Sequence, residues 1–389
     1  MTEVPIPPLL VMHLMRTYGM HGGEQQLSQY FGAKPRGAVR ETFVFVYRDV
    51  ECSRLFTKRA PDLQQLGLLR TPVATATAWR ELAVLLPLLL WLQLCFFSLI
   101  WRHRPGVCIV HGFQGALVAW PAAMMLRGIR WGYVHRSTKS ATGSNAVFRL
   151  IYRPYDVVAG NSRAVTASLA PLADLSRLTT LDNGLDWQSF EVRARVPLAP
   201  LPETVGPVLV SVGRLMPHKG HGIIIEAFEW VAKRYPDAAL WIAGDGPEMD
   251  ALRQRAAVSP AATRIHLLGR REDVPAVLAR ADVFVNASAW EGMSNAVLEG
   301  MAAALPSVVA AAPGVTECHV DGVTGLVVPR TASDLAAAIA RLLGDPELRR
   351  SMGMAARERV REHYSIEASR KRYLDLFGRL TGRNVCVES

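Results

Sequence analysis

The residues with the most chemistry to offer stand in two short runs. In EGMSNAVLE, Glu291 and Glu299 lie eight residues apart, with Gly292, Met293, Ser294 and Asn295 between them. A carboxylate only accepts hydrogen bonds and suits hydroxyl groups, while the amides of a helix start near Ser294 and Asn295 suit an anion. On one continuous helix the two acids would stand about 12 Å apart. The carboxylate pair of a retaining glycosidase needs about 5 Å, so that chemistry is excluded and the acids are expected to hold different parts of one ligand. In GRLMPHKG, Arg214 and Lys219 set two cations five residues apart. Taken alone, such a pair is most simply solvated surface charge. Gly22 and Gly23 let backbone approach a ligand closely ahead of a helix, or simply make a tight turn. His111 ends the apolar run VCIVHG, where a histidine can be structural, exposed or a ligand.

These residues need elements to hold them. DVFVNAS (282–288) reads as a buried parallel strand, and the helix-prone stretch 295–304 is stopped by Pro306. Glu291 therefore falls in a strand-to-helix loop, and Glu299 more than a turn into the helix. Strands are expected at 9–15 and 43–48, at VCIVHG (107–112), in WGYVHRS before His135 and Arg136, at 156–162 and around 178–186. After a proline-rich stretch at 191–207 the pattern restarts with PVLVSVGRL, AALWIAGDG, IHLLGR, DVFVNAS and PSVVAA, separated by helix-length segments. Strands alternating with helices predict two doubly wound parallel sheets, with ligands at the carboxyl ends of strands.

A chain of 389 residues suits two domains, and with 50% hydrophobic and 20% charged residues it is globular rather than disordered. The net charge of +10 is uneven: residues 1–200 hold 22 Lys and Arg against 12 Asp and Glu, and the rest hold 22 of each. An anionic surface or substrate is expected at the N-terminal half. Five cysteines without C-x-x-C spacing fit a reduced cytosolic compartment, without zinc or disulfides. Leu9–Met15 reads as a first strand rather than as a signal peptide.

The motifs GGE near the start, HG at 111, NGLD at 183–186, GRLMPHKG at 213–220, AGDGPE at 243–248 and EGMSNAVLE at 291–299 come in one order. In that order and spacing the chain resembles the retaining nucleotide-sugar glycosyltransferases of family four (group 1) with the GT-B fold. The resemblance implies two Rossmann-like doubly wound domains facing across a cleft. Residues 1–195 would form the acceptor side and 196–365 the donor side, with 366–389 a helix crossing back. It implies a nucleotide-diphosphate sugar as donor substrate and no separate cofactor. It further implies that Arg214 and Lys219 bind the phosphates, that Glu299 accepts from the ribose hydroxyls, and that Glu291 lies near the sugar ring. The amides at Gly292, Met293, Ser294 and Asn295 would hold sugar and phosphate. Gly22 and Gly23 would close over the pyrophosphate, with His111 near sugar and acceptor. Glu291, His111, Arg214 and Lys219 are thus the catalytic candidates. No two aspartates stand two residues apart, so no D-x-D metal clamp is present, and Lys219, Arg214 and a helix terminus can compensate charge instead. The usual small residue between GG and Glu24 is missing, and one histidine stands at 111 where two often occur. A nucleotide-sugar epimerase and a non-catalytic subunit of a glycan-assembly complex are the competing functions. The first would change the donor without an acceptor; the second would be expected to lack Glu291, Arg214 or Lys219.

Residues 82–101 carry no charge, and a helix of that length rises about 30 Å, enough to span a bilayer. A span there would put Gly22 and Gly23 across a membrane from Arg214, Lys219 and Glu299. The expectation is therefore a helix lying in an anionic membrane surface, helped by Trp79, Trp91 and Trp101 and by the flanking Arg80, Arg102 and Arg104 (Trp79 and Arg80 lie outside the residues the structure describes), with Leu88, Leu92 and Phe96 in contact with lipid. The partners are then a nucleotide sugar, a lipid-linked or cell-envelope glycan acceptor and the inner face of the plasma membrane, without nucleic acid.

Overall fold

The computed structural model describes residues 7–17, 22–33, 38–69, 82–137 and 145–385. The described chain forms two units. In the first, β1 (Leu9–Met15), α1 (Gly22–Gly32), β2 (Val39–Tyr47), α2 (Val50–Arg59) and β3 (Gln64–Leu69) lead to α3 (Leu82–His103). There follow β4 (Val107–His111), α4 (Phe113–Met125), β5 (Arg130–His135), α5 (Asn145–Tyr152), β6 (Val157–Gly160), α6 (Arg163–Leu169) and β7 (Leu178–Thr180). The second unit begins with α7 (Trp187–Ala194), β8 (Val208–Val212), α8 (His221–Arg234), β9 (Ala239–Ala243) and α9 (Met249–Ala257). It continues with β10 (Ile265–Gly269), α10 (Val274–Leu278), β11 (Val283–Asn286), α11 (Asn295–Ala302), β12 (Ser307–Ala310) and β13 (Gly325–Val328). Two helices, α12 (Ala332–Gly344) and α13 (Pro346–His363), close it, and α14 (Ile366–Thr381) belongs to the first unit again.

The first sheet runs β3-β2-β1-β4-β5-β6-β7 and the second β10-β9-β8-β11-β12-β13, parallel throughout among the described strands. Both are doubly wound, and their strand order reverses between β1 and β4 and between β8 and β11. Helices cover both faces, so central strands such as VCIVH and ALWIA are buried at every position. Side-chain caps start the helices: Asp49 for α2, Ser162 for α6, Thr331 for α12 and Asp345 ahead of Pro346 for α13.

Three expectations shift. The expected boundary at 195 moves to Gly184/Leu185, because α7 packs on α10 and puts Phe190 in one core with Val277 and Leu278. Gly22 and Gly23 are the first residues of α1 rather than a turn ahead of it. In α3, Leu92 and Phe96 are core residues, buried with Ile100 at four-residue steps, and half-buried Leu88 packs against the same core, so the three are not a membrane face. The opposite side exposes Leu90, Trp91, Leu94 and Trp101. Gln93 donates to the Leu117 carbonyl of α4 at 2.9 Å. That carbonyl lies four residues before Pro121, which has no N–H to offer it. Among the described residues no helix is long and apolar enough to cross a membrane.

Two buried histidines of the second unit make its stability depend on pH. Burial holds His221 down to about 4, with Lys219 and then His218 adding to the effect. Burial likewise holds His319 down to about 4, reinforced by Arg359 and opposed by the Thr324 contact and Asp321. In the unfolded chain both take a proton near 6.5. Below that pH the unfolded state binds protons that the folded state refuses. Stability therefore falls as pH drops from 6.5 towards 4, by up to about 3 kcal/mol per histidine. A thermal melting series on the full chain should show the midpoint declining already between pH 6.5 and 4.5, above the carboxylate range. A flat midpoint across that window would contradict the assignment.

Candidate functional site

In the second unit the expected residues converge on the switch point. The loop leaving β8 carries Arg214 and a short 3-10 turn, Pro217–Lys219, before α8. The loop leaving β11 carries Glu291 and then Gly292–Ser294 before α11. The Lys219 ammonium is ion-paired to Glu291 Oε1, and Ser288 Oγ donates to the same oxygen at 2.9 Å. Both charged side chains are mostly buried, 19% and 11% exposed. The two loops are also joined through backbone, with Ala289 N–H donating to His218 O at 2.7 Å, and through the stacked rings of His218 and Trp290. Their approach needs glycine at 220: its φ is +71°, and a Cβ there would sit 2.4 Å from Ala287 O. A second such glycine, Gly314 at φ +74°, lies under Glu291, and its Cβ would meet the Glu291 carbonyl at 2.3 Å. Glu291 N–H in turn donates to Pro313 O at 3.0 Å.

Arg214, five residues before Lys219 on the same loop, is exposed and forms no ion pair among the described residues. Ser294 is the N-cap of α11 by backbone position, and its hydroxyl makes no capping bond. The positive end of the helix dipole therefore lies in the same loop as Glu291. Glu299 is on α11 itself and buried at 8% exposed. Met293 and Ser294 are buried, while Gly292 and Asn295 are half-buried. A recess of about 630 Å³ shares Pro313 with this region and is lined further by Thr316, His319 and Asp321; none of the expected residues lines it.

In the first unit, Gly22 and Gly23 open α1 after β1, and His111 is the last residue of β4, so they flank the other switch point. His111 is 1% exposed. Its Nε2 lies 3.1 Å from His13 Nδ1, and His13 Nε2 lies 3.2 Å from Glu41 Oε1. Glu41 also accepts from the Tyr30 hydroxyl at 2.6 Å and from Arg370 at 3.0 Å. Burial alone would raise the Glu41 carboxyl, but the His13 hydrogen bond, the Arg370 charge and the Tyr30 hydrogen bond bring it down to about 2. Burial, then Arg136 and then His13 hold His111 well below the ordinary histidine range. Arg136 donates to Asn183 at 3.3 Å and to the Tyr373 hydroxyl at 3.5 Å.

Sequence reasoning missed Ser288, three residues before Glu291, and the whole Glu41–His13 arrangement. One signal was available: His13 is the lone polar side chain inside the apolar strand LLVMHLM.

Residues 206–345 match the family model described as Glycosyl transferases group 1. The lipopolysaccharide core biosynthesis glycosyltransferase LpsE of Rhizobium meliloti is 34% identical over 171 residues, 44% of this chain and 49% of its own length. The GDP-mannose-dependent alpha-(1-6)-phosphatidylinositol monomannoside mannosyltransferase of Mycolicibacterium smegmatis is 31% identical over 261 residues, 62% of this chain and 66% of its own length. The chain thus spans about half to two thirds of the length of these relatives. Among solved structures, Anabaena Alr3699/HepE in complex with UDP and glucose superposes with a TM-score of 0.77 at 19% identity, over 96% of this chain and 100% of that one. Sucrose-phosphate synthase from Thermosynechococcus elongatus gives 0.76 at 18%, over 96% and 99%. At such identities the structures speak for the fold, and the family match for the second unit. Residues 206–345 thus carry the group 1 glycosyltransferase match, and the chain has the GT-B fold of two parallel-sheet α/β units.

Proposed function

We propose that the chain is a retaining, metal-independent glycosyltransferase that moves a sugar from a nucleotide-diphosphate sugar onto a lipid-linked or cell-envelope glycan acceptor. The observation that carries this reading is the Lys219–Glu291 pair at the β8/β11 switch point, with Arg214 exposed on the same loop as Lys219. When the sugar–oxygen bond breaks, the departing diphosphate gains negative charge. Cations already fixed at that place stabilise the transition state more than the ground state. Arg214 and Lys219 take this role, and the N-terminus of α11 adds to it. Glu291 holds sugar hydroxyls near the reacting carbon. One of its oxygens is already engaged by Lys219 and Ser288, which suits holding better than proton abstraction. Glu299 accepts from the ribose diol. The Rhizobium and Mycolicibacterium relatives, named for lipopolysaccharide core synthesis and for a phosphatidylinositol mannoside, support an acceptor of the envelope or lipid-linked class.

The membrane partner rests on α3. Its outer side presents Leu90, Trp91, Leu94 and Trp101, with Arg104 over the Trp101 ring at 5.9 Å. The neighbouring α4 exposes Met125. Indole rings and arginines of this kind suit the headgroup level of an anionic bilayer. The corresponding location is cytoplasmic and peripheral, at the inner face of the plasma membrane.

Arg214→Ala and Lys219→Ala should each lower turnover about 100-fold, or about 3 kcal/mol, with a smaller loss of donor affinity; unchanged turnover in both would remove the phosphate assignment. Calorimetric titration of free nucleotide should show weaker binding to Glu299→Gln but not to Glu291→Gln, whose transfer step fails instead. Equal affinity losses would contradict the division of roles. Turnover should persist in EDTA, and a loss that Mg²⁺ or Mn²⁺ restores would refute metal independence. Replacing Leu90, Trp91 and Leu94 by serine should release the chain from anionic liposomes at low salt while donor binding stays intact. A wild-type chain that never sediments with such liposomes would end the membrane reading.

A further inference from the structure

The Lys219–Glu291 pair is complete within the protein, and the two oxygens of its carboxylate are placed differently. Oε1 is held twice, by the Lys219 ammonium and by Ser288 Oγ at 2.9 Å, while Oε2 makes no hydrogen bond among the described residues. Ser288 is fixed in turn: it is 0% exposed, and its N–H donates to Asn286 Oδ1 at 3.0 Å. The Glu291 backbone is tied as well, with its N–H on Pro313 O and Gly314 packed against its carbonyl. Both charged side chains are largely withdrawn from water, so salt screens the pair poorly. A diphosphate that comes to Lys219 therefore meets a carboxylate already there. An ammonium has three protons and can serve two acceptors, but two anions converging on one half-buried cation repel each other. A nucleoside diphosphate carries almost one more negative charge near neutral pH than its sugar ester, whose terminal phosphate is capped. It also brings no hydroxyl to the carboxylate. The sugar ester has less charge and brings hydroxyls that can donate to Oε2.

We propose that Glu291 determines specificity by working against the bare nucleoside diphosphate. Its carboxylate contends with the diphosphate for Lys219, and only a ligand that offers sugar hydroxyls to Oε2 offsets that competition. The site then prefers an intact nucleotide sugar to the nucleotide left after transfer, and Glu291 displaces the latter by regaining Lys219. No bond is made or broken in that exchange. The proposal rests on the glycosyltransferase reading, in which Lys219 takes phosphate and Glu291 takes sugar hydroxyls, and gives the same pair a second task. The rings of His218 and Trp290, the residues just before the two partners, stack at 4.9 Å and keep the loops opposed.

Calorimetry on the full chain tests this with UDP, GDP and ADP and with their glucose and mannose esters. Glu291→Gln should bind the nucleoside diphosphate about tenfold tighter than the wild type does, an ordinary size for coupling between linked subsites. It should bind the matching nucleotide sugar no tighter. A purely structural role for Glu291 would weaken both ligands or leave both unchanged, and either result overturns the proposal, as does equal tightening of both. A double-mutant cycle reads the path through Lys219. In a Lys219→Met background, Glu291→Gln should no longer tighten the nucleoside diphosphate, and a full tenfold gain there overturns the proposal. If Glu291→Gln does not fold, Glu291→Asp takes its place, keeping the charge but one methylene short of Lys219. It should tighten the nucleoside diphosphate in the same direction, and unchanged affinity overturns the proposal. If the wild type binds nucleotide sugars but transfers none, the transferase reading falls while the affinities still decide the proposal. If it binds none of these ligands, reading and proposal fall together.

Discussion

The ion pair of Lys219 with Glu291 ties together two loops whose residues are 72 apart in the chain, and the site in the second unit is built on that tie. A half-desolvated pair of this kind adds little net stability, because the attraction mostly offsets the loss of hydration. What it supplies is position. Lys219 is held at the carboxyl end of β8 by a carboxylate that is itself oriented by Ser288 and by the backbone bond to Pro313. The sheet makes this possible: β8 and β11 are neighbours only because the winding reverses there. Gly220 and Gly314 then let the loops approach to distances that any side chain would forbid.

The first unit solves a related problem with a different cast. Glu41 is a nearly buried carboxylate, its side chain 6% exposed, and burial works against its charge. Three donors from three other elements, Tyr30, His13 and Arg370, more than offset that cost. Arg370 comes from α14, which follows the whole second unit in sequence, and it also donates to the Tyr30 carbonyl. The final helix is therefore part of the electrostatic support of His13, and through it of His111. Removing one member of such a network exposes the others to uncompensated burial. Packing of α14 through Tyr373, Leu374 and Phe377 and the geometry at His111 are thus one problem rather than two.

Much of this was legible from the residues because parallel strands are apolar on both faces and announce themselves as runs. LLVMHLM, VCIVH, VLVSV and ALWIA read as strands and are strands. The strands that escaped are β3 (QQLGLL) and β13 (GLVV), both at sheet edges, where one neighbour is missing and less apolar length is needed. The unit boundary escaped because proline content marks where a chain is extended, not where contacts change, and α7 lies before the prolines while packing after them. At the site, Arg214, Lys219, Glu291 and Glu299 could be named from the resemblance that their motifs carry. Their mutual arrangement could not, since a sequence does not say that Glu291 answers Lys219 across 72 residues. Glu41 was invisible for the same reason: one glutamate in VRETFVFVY reads as a polar strand position.

Helix α3 shows how hydropathy can fix an element and leave its orientation undetermined. Nearly every residue is apolar, so the sequence offers no contrast from which to assign a buried stripe. The single polar side chain at mid-helix is Gln93, and the usual rule would turn it towards solvent. Here it turns towards α4, because Pro121 leaves the Leu117 carbonyl without its helical donor and Gln93 supplies one. That bond sets the phase of α3, sending Leu92, Phe96 and Ile100 into the core and Leu90, Trp91, Leu94 and Trp101 outwards. The result inverts the ordinary amphipathic helix, with its mid-helix polar group facing protein and its leucines and tryptophans facing away. A helix phased this way leaves apolar surface on the side where water would favour charge, so hydropathy alone could not have told its buried side from its exposed one.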